Sequence, residues 1–159
     1  MDLALTYNPE IGMLDIAIDG ADLLAEDTLA SAVMLSLLCD RTAQAHEVDV
    51  GGDRRGWWAD AYADIEGDAF GSRLWLLGRS KQLPAAVQQA RAFIAEALQW
   101  LVTDGLVKAV EVTAFIPRTG WLYVDVMLTL QAGSRRFRFE WNDERQIWRL
   151  AAERFQEVQ

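Results

Sequence analysis

The side chains of this chain that could do chemistry are one histidine, one cysteine and a run of acids. His46 is the only histidine and stands near Glu47 and Asp49. A Ser-His-Asp relay would have to use it, because imidazole is the side chain that exchanges protons near neutrality. No Gly-x-Ser-x-Gly segment exists to present a serine nucleophile. His46 therefore reads as a solvated loop histidine. Cys39 is the only cysteine and closes an apolar run, so it reads as a buried structural thiol rather than a nucleophile. A single cysteine excludes an intrachain disulfide and a cysteine-built zinc site within one chain. Asp49, Asp53, Asp60, Asp64, Glu66 and Asp68 crowd one segment. Carboxylates in that density could hold calcium or magnesium, or supply the acid pair of a glycosidase. Their spacing does not fit an EF-hand loop. A solvated acidic loop is the simpler reading.

Arginine and tryptophan are the other informative residues. Arg54-Arg55 and Arg135-Arg136-Phe137-Arg138 are short basic clusters, and acids follow the second at once. They read as salt-bridged surface or interface arginines rather than a nucleic-acid track. Seven tryptophans lie at 57, 58, 75, 100, 121, 141 and 148. Trp100 and Trp141 qualify as core. Trp57 and Trp58 are adjacent, so in an extended chain they point to opposite sides. One would then pack inward and the other face out. Trp and Arg dominate interface hot spots, and packing and interface stay equally open for this pair on composition alone.

The elements that must position these residues follow from periodicity. Residues 3–7 and 14–18 suit strands, and Asn8-Pro9-Glu10 and Gly12 between them make a hairpin turn. Leu14, Ile16 and Ile18 share a face of the second strand. Asp27 is positioned to cap a helix that opens at Thr28, carries Leu29, Val33, Leu37 and Leu38, and ends between Asp40 and Ala43. Ser72 could cap a short helix over Leu74 to Leu77. Pro84 suits the first turn of a long helix over 84–103, with Val87, Ala90, Ile94, Ala97, Leu98 and Leu101 as its apolar stripe and Asp104-Gly105 as its stop. From Val107 the period becomes two. Val110 to Ile116, Leu122 to Leu130 and Phe137 to Trp141 alternate, with turns at Pro117–Gly120 and Gly133-Ser134, which predicts a three-stranded antiparallel meander. Residues 143–159 fit an amphipathic helix through Ile147, Leu150, Ala151, Phe155 and Val158, or a further strand after Asn142-Asp143. Strands segregated from helices make the fold class α+β: an N-terminal β-hairpin, central helices and a C-terminal antiparallel β-meander.

Bulk properties bound the function. A chain of 159 residues, 52 % hydrophobic and 25 % charged, fits one domain with a real core. The expected domain is 1–159, with 143–159 either within it or an extension of it. A net charge of −9 disfavours nucleic-acid and membrane-surface binding. Residues 1–6 lack a basic region followed by an apolar run, so no signal peptide is expected, and the longest apolar run is too short to span a bilayer. A soluble protein made in the cytoplasm is expected.

"DRRGWWADAY" followed by "GDAFGSRLWLLGRSK" resembles a family of small baseplate proteins from Mu-like phages and prophages with contractile tails. The likeness takes in Asp2-Leu3-Ala4-Leu5, "LLCDRTA", "EALQWLVTDG" and the strands up to about residue 141. More distantly, "FGSRLWLLGRS" is similar to a segment of the wedge proteins that initiate the tail sheath. There it continues into Glu-Pro-Arg, where this chain has Gly78-Arg79-Ser80-Lys81; Arg79 stands in for the arginine and the Glu-Pro is absent. The resemblance implies a structural virion protein of wedge or sheath-initiator type, not an enzyme, with no cofactor. It implies a place in the tail baseplate, in several copies around the tail axis, after synthesis and assembly in the bacterial host cytoplasm. Its partners would be other wedge or hub proteins and sheath or tube proteins, with no nucleic acid or membrane. Its terminal strands would pair with a neighbouring chain. Arg54, Arg55, Trp57, Trp58, Arg73, Trp75 and Arg79 are the candidate partner-binding residues. The alternative is a tail-associated peptidoglycan hydrolase using the loop carboxylates, and a metal-binding module is a third class.

Overall fold

The computed structural model describes residues 2–3, 5–8, 10, 13–19, 22–23, 25–26, 28–64, 69–79, 83–142, 144–145 and 147–157. Among the described residues, six short strands open the chain as three antiparallel pairs. β1 (Asp2–Leu3) pairs with β6 (Ala25–Glu26), β2 (Leu5–Asn8) with β3 (Met13–Ile16), and β4 (Ile18–Asp19) with β5 (Asp22–Leu23). The expected hairpin is β2–β3, in register Leu5↔Ile16 to Asn8↔Met13. Its second strand stops at Ile16, so Ile18 belongs to the next hairpin. The expected cap Asp27 lies outside the described residues.

α1 (Thr28–Leu38) is an eleven-residue helix that buries Ala30, Val33, Met34 and Leu37. It ends two residues earlier than the pattern suggested, because Asp40 leaves the helix to make a parallel bridge with Ser72. α2 (Leu83–Thr103) is the long helix. Its stripe adds Ala86 and Phe93 to the expected Ala90, Ile94, Ala97, Leu98 and Leu101, all buried. Its end is a Schellman motif. Gly105 (φ 73°) donates to Val102 O at 3.1 Å, and Leu106 donates to Leu101 O at 2.9 Å. Trp100, expected in the core, is 38 % exposed at the rim of this helix, with its Nε1–H donating to the buried Ser36 Oγ of α1 at 3.1 Å.

The C-terminal sheet is a four-stranded antiparallel meander: β7 (Ala109–Arg118), β8 (Trp121–Thr129), β9 (Gly133–Asn142) and β10 (Ile147–Glu157), in spatial order β10-β9-β8-β7. Leu122, Val124, Val126 and Leu128 of β8 are fully buried and alternate with half-buried neighbours. Phe137, Phe139 and Trp141 complete the inner face. The first strand runs to Arg118, with a register shift after Phe115 that turns Ile116 outward. Gly133 begins a strand rather than making the second turn. On the outer face Asp125 of β8 receives both Arg136 and Arg138 of β9, so two arginines of the second basic cluster are cross-strand pairs. Residues 147–157 resolve as strand. Trp148 stands opposite Trp141 and Leu150 opposite Phe139, while Arg149 between them reaches Glu140. That period-two triplet extends the inner face, and a register shift between Leu150 and Ala152 alters the spacing after it. α1, α2, Leu74, Leu77 and the inner face of the sheet share one apolar cluster.

Candidate docking site

The site lies in the long connection between α1 and α2, and two sequence motifs build it. The Gly71-Ser72-Arg73-Leu74-Trp75-Leu76-Leu77 segment passes beside the end of α1. Ser72 N donates to Cys39 O and Arg41 N donates to Ser72 O, both at 2.9 Å. A Cβ at Gly71 would fall 2.6 Å from Cys39 O, and φ there is +88°, so only glycine lets the backbones approach. The buried Ser72 Oγ donates to Leu37 O at 2.6 Å, satisfying a carbonyl that the helix end leaves open, and accepts from Leu74 N at 3.4 Å. The expected short helix is a 3₁₀ helix, Leu74–Arg79. Leu74 and Leu77 sink into the core. Cys39 is half-buried, and burial followed by the Asp40 charge pushes its thiol up.

Arg73 points inward from this segment. Its guanidinium meets Glu47 at 2.6 Å and Glu96 of α2 at 2.6 Å, and stacks 4.8 Å from the centre of the Phe93 ring. Burial pulls the Arg73 pKa down, but its two carboxylate partners prevail and raise it. Burial likewise pushes Glu47 up, but the hydrogen bonds from Arg73 and the Gln44 N–H hold it below the usual carboxylate range. Trp75 is anchored at both ends. Its Nε1–H donates to Arg41 O at 2.9 Å, and the Arg55 guanidinium lies 4.6 Å over its ring.

The Arg54-Arg55-Gly56-Trp57-Trp58 segment is laid on this frame. Ala43 N donates to Arg54 O at 2.9 Å, and Arg54 Nε donates back to Ala43 O at 2.7 Å. Arg55 pairs with Asp40 at 2.8 Å, and its backbone N–H donates to Asp53 Oδ1. Arg55 and Gly56 both have positive φ, 50° and 105°. This left-handed step throws the next two residues off the surface. Trp57 is extended and Trp58 opens a 3₁₀ helix, Trp58–Tyr62. The strand-like alternation expected for the pair therefore does not occur, and neither ring is buried: Trp57 is 50 % and Trp58 75 % exposed.

The rings pack edge-on or tilted against one another, with interplanar angles of 59° to 68°. Trp57 lies 5.5 Å from Phe70 and 6.1 Å from Trp58, and Trp58 lies 6.3 Å from Tyr62. Asp60 ties the ladder together, its Oδ1 accepting from Phe70 N at 3.1 Å. Facing the ladder across a groove of about 1050 Å³ are Trp100 and Thr103 of α2 and Asp104 just past its end. Tyr62, Phe70 and Trp100 give no sign in the sequence that they join Trp57 and Trp58; only the long-range fold brings them together. Of Arg79 the structure describes the backbone, at the end of the second 3₁₀ helix.

Asp53, Asp60 and Glu47 brace the connection. Asp53 and Asp60 each accept a backbone N–H, and Glu47 holds Arg73. His46 is exposed. Glu66 and Asp68 lie outside the described residues. Among the described residues no three His, Cys, Asp or Glu side chains gather closely enough to hold a metal ion.

Comparison with known proteins shows the family. The family model described as phage protein GP46 matches residues 29–135, which span α1, both 3₁₀ helices, α2 and the first strands of the meander. The baseplate protein gp46 of Escherichia phage Mu is 45 % identical over 135 residues, covering 84 % of this chain and 90 % of that protein. The Mu-like prophage FluMu protein gp46 of Haemophilus influenzae is 38 % identical over 144 residues, covering 89 % of this chain and 98 % of that protein. The chain therefore belongs to the GP46 family of phage proteins, together with these relatives from Mu and a Mu-like prophage.

Proposed function

We propose that the chain is a structural subunit of a contractile phage-tail baseplate, of wedge or sheath-initiator type, that acts through protein–protein assembly and not as an enzyme. Its family membership supports the baseplate role. The observation that carries a docking mechanism is the Trp57–Trp58–Tyr62–Phe70 ladder, which is exposed yet mounted on a braced loop. Exposed aromatic surface on a rigid support is what a partner buries as a hot spot, at little ordering cost. In this reading Trp57 and Trp58 make the central contact. Arg54, Arg55 and Trp75 frame it, Arg73 sets the loop from beneath, and Arg79 joins by its place on the same segment. The whole chain acts as one unit, in several copies around the tail axis. Its partners are wedge or hub proteins and sheath or tube proteins, and it is made and assembled in the host cytoplasm.

The test is complementation of a phage or prophage from which the coding sequence is deleted. The deletion should stop tail assembly, and the intact chain should restore it. A folded Trp57→Ala/Trp58→Ala variant should not. Normal infectious tails from the deletion would overturn the reading.

A further inference from the structure

We propose that the aromatic groove receives an arginine-bearing segment of a neighbouring protein. This deepens the assembly reading above and rests on it. The first argument is how the chain treats its other surface rings. Arg55 covers Trp75 at 4.6 Å and Arg118 covers Trp121 at 4.4 Å. Arg138 lies over Phe115 and Tyr123 at 5.7 and 5.8 Å. Among the described residues no arginine stacks on Trp57, Trp58, Tyr62, Phe70 or Trp100, although these rings are between 37 % and 80 % exposed. Among the described residues these π-faces lack the cation that other rings receive.

Charge is the second argument. The groove's ionisable lining is Asp60, Glu96 and Asp104 against Arg41, in a chain of net charge −9. Glu96 is already paired with Arg73. Asp60 is not balanced: Oδ1 takes the Phe70 N–H, while Oδ2 is shielded from water and has no hydrogen-bond partner among the described residues. Asp104, just past the end of α2, is exposed. A guanidinium entering between the ladder and α2 meets ring faces in a field that stays negative, since Asp60 and Asp104 stand against Arg41 alone. An acidic segment is repelled, and a purely apolar one leaves the carboxylate charge unanswered.

The experiment titrates the full chain with N-acetyl-arginine amide, N-acetyl-norleucine amide and N-acetyl-glutamate amide, followed by the tryptophan indole N–H signals in NMR. The expected result is a saturable shift of the Trp57, Trp58 and Trp100 signals with the arginine probe. The norleucine probe should bind about five-fold more weakly, and the glutamate probe should not bind. Asp60→Asn/Asp104→Asn should weaken arginine binding and leave only the share of the preference that the ring faces supply; the amide oxygen introduced at position 60 can still accept the Phe70 N–H, so the ladder is kept. Equal arginine and norleucine binding, or arginine shifts spread over all seven indoles, would overturn the cation assignment. If arginine does not bind but the double tryptophan variant still fails to build tails, the assembly reading survives and this inference falls. If arginine binds and that variant builds normal tails, a partner arginine in the baseplate is equally excluded.

Discussion

Gly56 passes so close to Thr42 that a Cβ built on it would fall 1.8 Å from Thr42 Oγ1 and 3.0 Å from its Cα. The glycine between the paired arginines and the paired tryptophans is therefore fixed by two requirements. One is φ of +105°; the other is the absence of a side chain where the strand-like segment Arg41 to Ala43 runs alongside. Gly56→Ala should lose more than about 1 kcal/mol from the backbone conformation alone, with the clash added. Thr42→Gly in the same chain should recover only the part of the clash made by the threonine side chain, because the 3.0 Å approach to Cα stays. Urea denaturation of the single and double variants measures both parts, and full recovery in the double variant would show that φ carries no strain.

Arg73 is predicted to matter first for stability. It is only 16 % exposed at the side chain and bridges the loop to α2 through Glu47 and Glu96. Arg73→Ala leaves two partly buried carboxylates facing one another without their cation, a loss of about 3 kcal/mol. Arg73→Lys should recover little, because one ammonium cannot reproduce the fork that serves both acids. Adding Glu47→Gln to Arg73→Ala should restore part of the loss. A failure of Arg73→Ala to build tails is then to be read beside its unfolding curve.

The acid limb of stability should report the same bridge. Glu47 and Asp125 both sit below their ordinary values in the folded chain, Glu47 because its hydrogen bonds outweigh burial and Asp125 chiefly through Arg138. A carboxylate with a lowered folded pKa adds stability that is fully present above its unfolded value, about 4. That stability disappears as pH falls through the folded value. The melting temperature should therefore drop below about pH 4. Glu47→Gln and Asp125→Asn should each melt lower than the parent at pH 7 and show a shallower decline on acidification. Parallel curves for parent and variants would exclude these two groups as the source.

Parts of this were legible in the sequence because they depend on local pattern. Leu122 to Leu128 alternate, Ile94 to Leu101 recur at helical spacing, and both periods survive in the fold. Residues 147–157 were ambiguous because Ile147, Leu150 and Ala151 fit a helical stripe as well as Trp148 and Leu150 fit an alternating face; pairing with Trp141 and Phe139 decides it. The candidate docking surface was half legible. Trp57 and Trp58 are conspicuous, but their exposure follows from the left-handed Arg55–Gly56 step. Their neighbours Phe70 and Trp100 arrive from other parts of the chain, and no spacing rule links them.

The sharpest contrast lies between Trp58 and Leu77. Trp58 is three-quarters exposed and touches mainly other rings of the ladder. Leu77 is fully buried in the shared core beneath the same loop. If the ladder is a docking surface, Trp58→Ala removes little that the isolated subunit needs. Its stability should stay within about 0.5 kcal/mol of the parent, while incorporation into tails fails. Leu77→Ala should do the reverse to the isolated chain, with a loss of about 3 kcal/mol from the lost transfer energy and the cavity left behind. Measuring both variants by urea denaturation, and then by tail assembly at a temperature where both remain folded, separates docking from packing. A large stability loss for Trp58→Ala would make the ladder a structural cluster and remove it as the contact surface.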